Sequence, residues 1–312
     1  MANPANAPAR GQMLIQRWIP TMAFPVTIGC ALLATWAGFA LFQLPYTLAA
    51  ALAVFIFGFI LIPLLEHLLP FRKDWNRSDG DTGTDIVHLI VGNGIVVNLE
   101  KPLLVAALIG LTSWLAGSVG GSLWPDGWPL LAQLLLMLLI AEFGRYWVHV
   151  AAHKLPWLWR FHAVHHSPNR LYFLNAGRFH PLEKVLFQLP EVVPFIVLGT
   201  NIETITLYFT FNAIHGFFQH SNIRLRLGWL NYVFSLPELH RWHHSKKIEE
   251  SDRNFGNNLI VWDLLFGTYF NPKEREVEDI GLLNPEFPKG YLGQLAAPFA
   301  SRDISKPVGY VG

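Results

Sequence analysis

Two stretches of the chain carry the same pattern of histidines, His162-Ala-Val-His165-His166 and His240-Arg-Trp-His243-His244, and a further pair, His149 and His153, stands just upstream of the first. On an α-helix, residues three and four apart share a face, so each pattern aims its imidazoles at one place. Neutral imidazole suits borderline transition metals such as iron, copper and zinc. Eight such ligands exceed the three or four that a zinc site takes from protein, and they fit two metal ions with four or five nitrogens each. The number favours iron.

The remaining histidines carry unequal weight. His215 and His220, in N-A-I-H-G-F-F-Q-H-S-N, are two further ligand candidates, which would make ten. Their i, i+5 spacing does not share a helix face unless the turn at Gly216 is irregular. His180 precedes Pro181 at a helix start and is expected to hydrogen-bond Glu183 or the second nitrogen of a ligand. His88, three residues after Asp85, is either a helix-start histidine or a group supporting a ligand. His67, beside Glu66, reads as a histidine at a helix C-terminus with no catalytic part. Metal-bound histidines normally donate their other N–H to a carboxylate or carbonyl. Asp263, Glu142, Glu183 and Glu238 are the expected acceptors, with surface or capping roles as the alternative.

The elements that hold these residues are membrane helices. The chain is 52% hydrophobic and 14% charged, against roughly 25% charged in an ordinary soluble domain. Long apolar runs at about 21–44, 47–65, 102–118 and 129–150 each approach the ~20 residues that cross a hydrocarbon layer. A fifth stretch, about 185–219, is interrupted by Pro190, Pro194, Gly199 and Glu203 and reads as a broken, re-entrant or interfacial helical hairpin. The expected fold is an all-α, multi-pass membrane protein with four spans, that hairpin and a histidine-rich helical cap. In domain terms, 1–128 form a membrane anchor with three spans, 129–272 the catalytic region and 273–312 a C-terminal cytoplasmic tail.

Lysine and arginine set the orientation. The connections at about 42–47 and 119–128 contain neither, whereas Arg10, Arg17, Arg72, Lys73, Arg77, Lys154, Arg160, Arg170 and Arg178 fall on the other side. Both termini and every histidine pattern are therefore expected to face the cytoplasm. A formal net charge of +1 and the lack of a basic tract with interleaved aromatics argue against nucleic acid. One cysteine, Cys30, excludes an internal disulfide, a cysteine-held zinc and an iron–sulfur cluster. The first apolar run is too long for a cleaved signal core and reads as an uncleaved anchor. Pro156 is expected to end the fourth span and redirect the chain, bringing His149 and His153 to His162, His165 and His166.

Together, H-V-A-A-H, H-A-V-H-H, P-E-L-H-R-W-H-H-S and the trailing N-F-G-N-N-L-I-V-W-D-L-L-F-G-T-Y-F resemble the fatty acid hydroxylase superfamily, also called the sterol desaturase family. The resemblance spans about 130–272. The stretch F-F-Q-H-S-N-I-R-L is similar to the branch near alkylglycerol monooxygenase and bacterial sterol desaturase-like proteins. The resemblance implies a non-haem di-iron centre, two iron ions that activate O₂ on the cytosolic face. It also implies that His149 and His153 match the first histidine box, His162, His165 and His166 the second, and His240, His243 and His244 the last. His220 and His215 match the additional histidines of members with ten ligands, although their spacing departs from the i, i+4 pattern there. His180, in an R-x-H-P-x-E element, is given a supporting role.

The implied reaction is hydroxylation of a C–H bond in a lipid, whether fatty acyl, ether lipid or sterol-like, with O₂ and external electrons. Desaturation on the same centre is the alternative. The electrons would come from a separate ferredoxin, cytochrome or flavoprotein, or from a reduced pterin. A zinc membrane hydrolase and a metal-binding or transport protein are the rival classes.

Overall fold

The structure is a computed structural model that describes the backbone of residues 10–300 and the side chains of residues 18–300. The side chains of Arg10 and Arg17, used above for orientation, and residues 301–312 of the expected tail lie outside the described residues. The described chain is helical, and its only β-pairing is three isolated bridges.

Four helices are long and apolar enough to cross a membrane. Helix α1 is Arg10–Ala40, α2 Tyr46–Leu68, α3 Thr82–Val119 and α4 Leu130–Lys154. Leu103, Ile109, Trp114, Leu131 and Leu135 stand exposed along α3 and α4, an apolar face of the kind that meets lipid. Helix α3 begins about twenty residues before its apolar run. Gly92, Asn93 and Gly94 interrupt the hydropathy there but not the helix, which winds as a π-helix over Ile90–Val96. A second π-wound stretch, Val54–Leu61, lies within α2. Such turns recur at functional sites, and both of these line the cavity described below.

Helix α4 stops at Lys154, and Pro156 opens α5, Pro156–His166, at the position where a proline's missing N–H costs nothing. The fifth apolar stretch forms two helices, α6 (Pro181–Leu198) and α7 (Ile202–His220). Pro190 and Pro194, expected to break it, lie inside α6. That helix is held from both sides by α3 and α4, and Gly144 of α4 sits so close that a Cβ there would come within 2.5 Å of the Pro190 Cβ. The break falls at Gly199, which closes α6 in the left-handed region at φ 69°. Asn201 then caps α7, its side chain accepting from the Thr204 N–H at 2.9 Å.

Beyond the apolar ends of α2 and α4, the chain builds a polar cap. Asp81 and Asp85 at the start of α3 receive Arg170 and Arg178, with closest contacts of 2.7 and 2.5 Å. This clamp fixes the 167–180 loop against α3. Residues 277–297 close over the cap: Val277 and Ile280 pack with Phe71, Trp75 and Trp242, and Phe287 and Ala297 with Ala163 and Val164.

Candidate metal centre

Nine histidines converge in two adjoining groups. His149, His153, His162, His166 and His243 form one, and His165, His220, His240 and His244 the other, the ligand atoms of each lying within 4.8 Å of one another. Helix α4 supplies His149 and His153, α5 supplies His162, His165 and His166, the end of α7 supplies His220, and α8, Pro237–His243, supplies His240 and His243, with His244 capping it. The i, i+3, i+4 spacing splits each box between the groups: His165 leaves His162 and His166, and His243 leaves His240 and His244. The groups therefore share walls.

The ring nitrogens show what the groups fit. His149, His165 and His243 direct Nδ1 to the backbone carbonyls of Phe255, Arg178 and Arg253 at 2.6, 3.1 and 2.8 Å. A carbonyl only accepts, so in each neutral ring the proton is on Nδ1 and Nε2 is a bare lone pair. Yet His149 Nε2 lies 3.0 Å from His162 Nε2, which lies 3.1 Å from His166 Nε2, which lies 3.2 Å from His243 Nε2. In the other group His240 Nε2 is 3.0 Å from the Nε2 atoms of both His220 and His244. A ring N–H on His166 can satisfy one of its two contacts, not both. A cation at the centre of each group satisfies all of them. His153 points in the same direction, because its Nδ1 meets Asp252 at 3.1 Å while its buried Nε2 has no partner. The donor set thus fits a metal ion in each group.

Charge state agrees. Burial, and after it the neighbouring imidazoles, holds His162, His165, His166, His240, His243 and His244 well below the ordinary histidine value, which keeps their lone pairs free. Burial takes His220 down to about 3.

Of the four carboxylates expected around the ligands, Glu183 touches one, at 2.5 Å from His162 Nδ1. Asp263 and Glu142 act one step further out. Asp263 accepts from the N–H groups of Phe255 and Gly256 at 2.7 and 2.8 Å, and Glu142 from those of Asn257 and Asn258. They fix the loop whose Phe255 carbonyl orients His149. Glu238 touches no ligand and accepts from the Leu227 N–H and the Asn231 amide. Sequence reasoning missed Asp252, in a charged run with no distinguishing spacing, and Asn175, whose side chain meets His220 Nδ1 at 3.0 Å.

His215 is not with the ligands. Five residues along α7 turn its ring about 140° away from that of His220, and the helix is regular through Gly216. It stacks on Phe211 and meets Phe24 edge-on, and neither ring nitrogen has a hydrogen-bond partner. His180 meets Glu183 through its backbone N–H, and its ring bonds no ligand. It caps α6, Nδ1 accepting from the Leu182 N–H, with Nε2 3.2 Å from the Leu295 carbonyl. His88 ties α3 to Phe179 and Gln294, and His67 folds back on the Pro63 carbonyl at the exposed end of α2.

A cavity of about 470 Å³ among α2, α3, α4, α6 and α7 is lined in part by His149, His162, His165, His220 and His240. Phe179, Phe187, Phe209 and Phe217 make much of its wall. A second opening of about 450 Å³ reaches His153 and His166 past Trp159, Lys246 and Asp252.

These residues fall where known proteins match. The profile of the family described as fatty acid hydroxylase matches residues 134–268, which contain all nine converging histidines. The chain is 38% identical to ornithine lipid hydroxylase OlsE of Rhizobium tropici over 261 residues, 82% of this chain and 77% of that protein. It is 30% identical to human alkylglycerol monooxygenase over 46% of this chain and 32% of that protein. It is 28% identical to a Delta(7)-sterol-C5(6)-desaturase of Nicotiana tabacum over 46% and 51%. No solved structure matches. With an extended relative on one side and the histidine boxes inside the matched segment on the other, the chain belongs to the fatty acid hydroxylase family.

Proposed function

We propose that the protein is a membrane-bound, O₂-dependent lipid monooxygenase whose nine converging histidines hold two iron ions, five ligands on one and four on the other. The observation that carries the reading is a set of bare, convergent Nε2 lone pairs on histidines that line an aromatic-walled cavity among the apolar helices. The balance is R–H + O₂ + 2e⁻ + 2H⁺ → R–OH + H₂O, with the electrons from a separate donor. Bound iron would supply the activation of dioxygen. The chain's own residues do the rest: Glu183 and Asp252 hold the Nδ1 protons of His162 and His153, and the loop pinned by Glu142 and Asp263 aims His149 and His243. The phenylalanine wall keeps the reacting carbon away from water. Absence of lysine and arginine from the α1–α2 and α3–α4 connections supports a site on the cytoplasmic face. The opening beside Trp159, Lys246 and Asp252 is where we place the approach of external electrons.

The transport reading needs ligands strung along a path across the membrane, and these are gathered at one end of α4. The test is comparative lipid analysis of cells with and without the protein under ¹⁸O₂. A lipid heavier by one ¹⁸O is the expected product. A product lighter by two hydrogens would replace hydroxylation by the desaturation that the tobacco relative's name describes. Active protein carrying zinc and no iron would overturn the di-iron reading.

A further inference from the structure

We propose that the cavity selects lipids with an anionic headgroup, a carboxylate or a phosphate, anchored by Lys101 of α3 and Lys184 of α6; this rests on the cavity being the substrate site. Helices α3 and α6 pack together, and both lysines line the same cavity as five of the histidines. Lys101 Nζ stands 3.8 Å over the centroid of the Phe209 ring, and Lys184 Nζ 5.3 Å from that of Phe179. Among the described residues no carboxylate lies within 4 Å of either ammonium and no hydrogen bond engages them. An ammonium in an apolar cavity with no carboxylate in contact is incompletely compensated, and an aromatic face offsets only part of that cost.

The nearby carboxylates act on these lysines through space without contact, Glu100 and Glu191 on both and Glu183 on Lys184. Arg145 also lines the cavity but is paired with Glu191 at 2.9 Å, and Glu191 further accepts from the Tyr208 hydroxyl. Glu100 is buried with neither carboxylate oxygen hydrogen-bonded and does not line the cavity. No carboxylate lines the cavity, so the charge on its wall is positive. One helical turn beyond Lys184, on the same face, Gln188 is 4% exposed, lines the cavity and has an unpartnered Oε1. That oxygen can accept from an N–H or O–H of the headgroup.

The level in the membrane is consistent with a headgroup. From Lys101 to the end of α3 at Val119 is about the length that crosses the hydrocarbon, so Lys101 sits near one interface. A lipid held there by its anionic group presents to the histidines a bond no farther from that group than the length of the cavity.

Binding of tritiated palmitate, lysophosphatidic acid and uncharged palmitic acid methyl ester to the purified, metal-loaded full chain without reductant tests this. The two acids are expected to bind at least tenfold more tightly than the ester. K101M/K184M should lose that preference while binding the ester as before. K101R/K184R should retain it, and single K184M serves if the double variant does not fold. Equal affinity for acid and ester, or unchanged palmitate binding in K101M/K184M and in K184M, would overturn the proposal. Displacement of palmitate by millimolar acetate or inorganic phosphate would overturn its lipid part, leaving a free-anion site. Because nothing turns over, a negative result here is distinct from failure of the monooxygenase reading, which is judged on product.

Discussion

His162 stands between Glu183 and the metal groups, with Nδ1 2.5 Å from the carboxylate and Nε2 3.0 Å from that of His149. The carboxylate fixes the tautomer and raises the basicity of the lone pair. Glu183→Gln removes the charge but not the shape, and metal affinity is expected to fall about 10–100-fold. Metal content measured against a buffered iron series reads this directly. Wild-type affinity in Glu183→Gln would show that the pair is structural.

The two groups differ in what stands behind them. Glu183 and Asp252 back the five-histidine group, whereas His240 and His244 in the other have buried Nδ1 atoms without partners. Ligands with carboxylate support are the stronger donors, so graded chelation should remove metal in two steps, the four-histidine group emptying first. In Asp252→Ala the steps should draw together. A single step for both ions in the unaltered protein would contradict the asymmetry.

His215 and His220 lie on one helix and should respond in opposite ways. His220→Ala is expected to empty the four-histidine group. His215→Phe should leave metal content unchanged. It also relieves a buried polar group with no hydrogen bond, whose burial costs about 1–3 kcal/mol, so the thermal midpoint should hold or rise. Metal loss in His215→Phe would restore it to the ligands.

The contrast shows how far the sequence could be read. The three boxes were legible because a helix converts i, i+3 and i+4 into one direction, and that local rule survives tertiary packing. His220 and His215 satisfied no such rule, and their separation depended on α7 staying regular through Gly216. The backbone carbonyls of Phe255, Arg178 and Arg253 leave no trace in side-chain identity, so half of the support around the ligands was invisible. Pro190 and Pro194 misled for a related reason: helix breaking is a local tendency, and packing of α6 between α3 and α4 overrides it.

Gly256 tests the loop that carries the Phe255 carbonyl. A Cβ there would sit 2.2 Å from the Leu259 carbonyl oxygen and 3.0 Å from Asp263 Oδ2. The nearest atom is backbone, so the loop itself must move. Gly256→Ala is expected to destabilise by roughly 1–3 kcal/mol and to loosen metal by misdirecting His149. An alanine variant with full metal content and an unchanged thermal midpoint would disconnect the loop from the site.

Acid should release metal and stability together. In the unfolded chain the histidines take up protons near the ordinary value of about 6.5, whereas burial holds His162, His165, His166, His240, His243 and His244 well below it in the folded protein. Between those values the unfolded state binds more protons, so stability rises with pH there and is lost as pH falls through and below about 6.5. Glu183, which burial raises to about 8 in the metal-free chain, works in the opposite sense, its contribution fading as pH rises toward 8. Asp263, which burial raises to about 6, works in the same sense as Glu183; six imidazoles outweigh these two carboxyls, and the net expectation is loss on acidification. Protons also compete with metal at Nε2, so bound iron and the thermal midpoint should be level near pH 7 and decline in parallel toward pH 4. Retention of both ions after equilibration at pH 4 would contradict a centre built from neutral imidazoles.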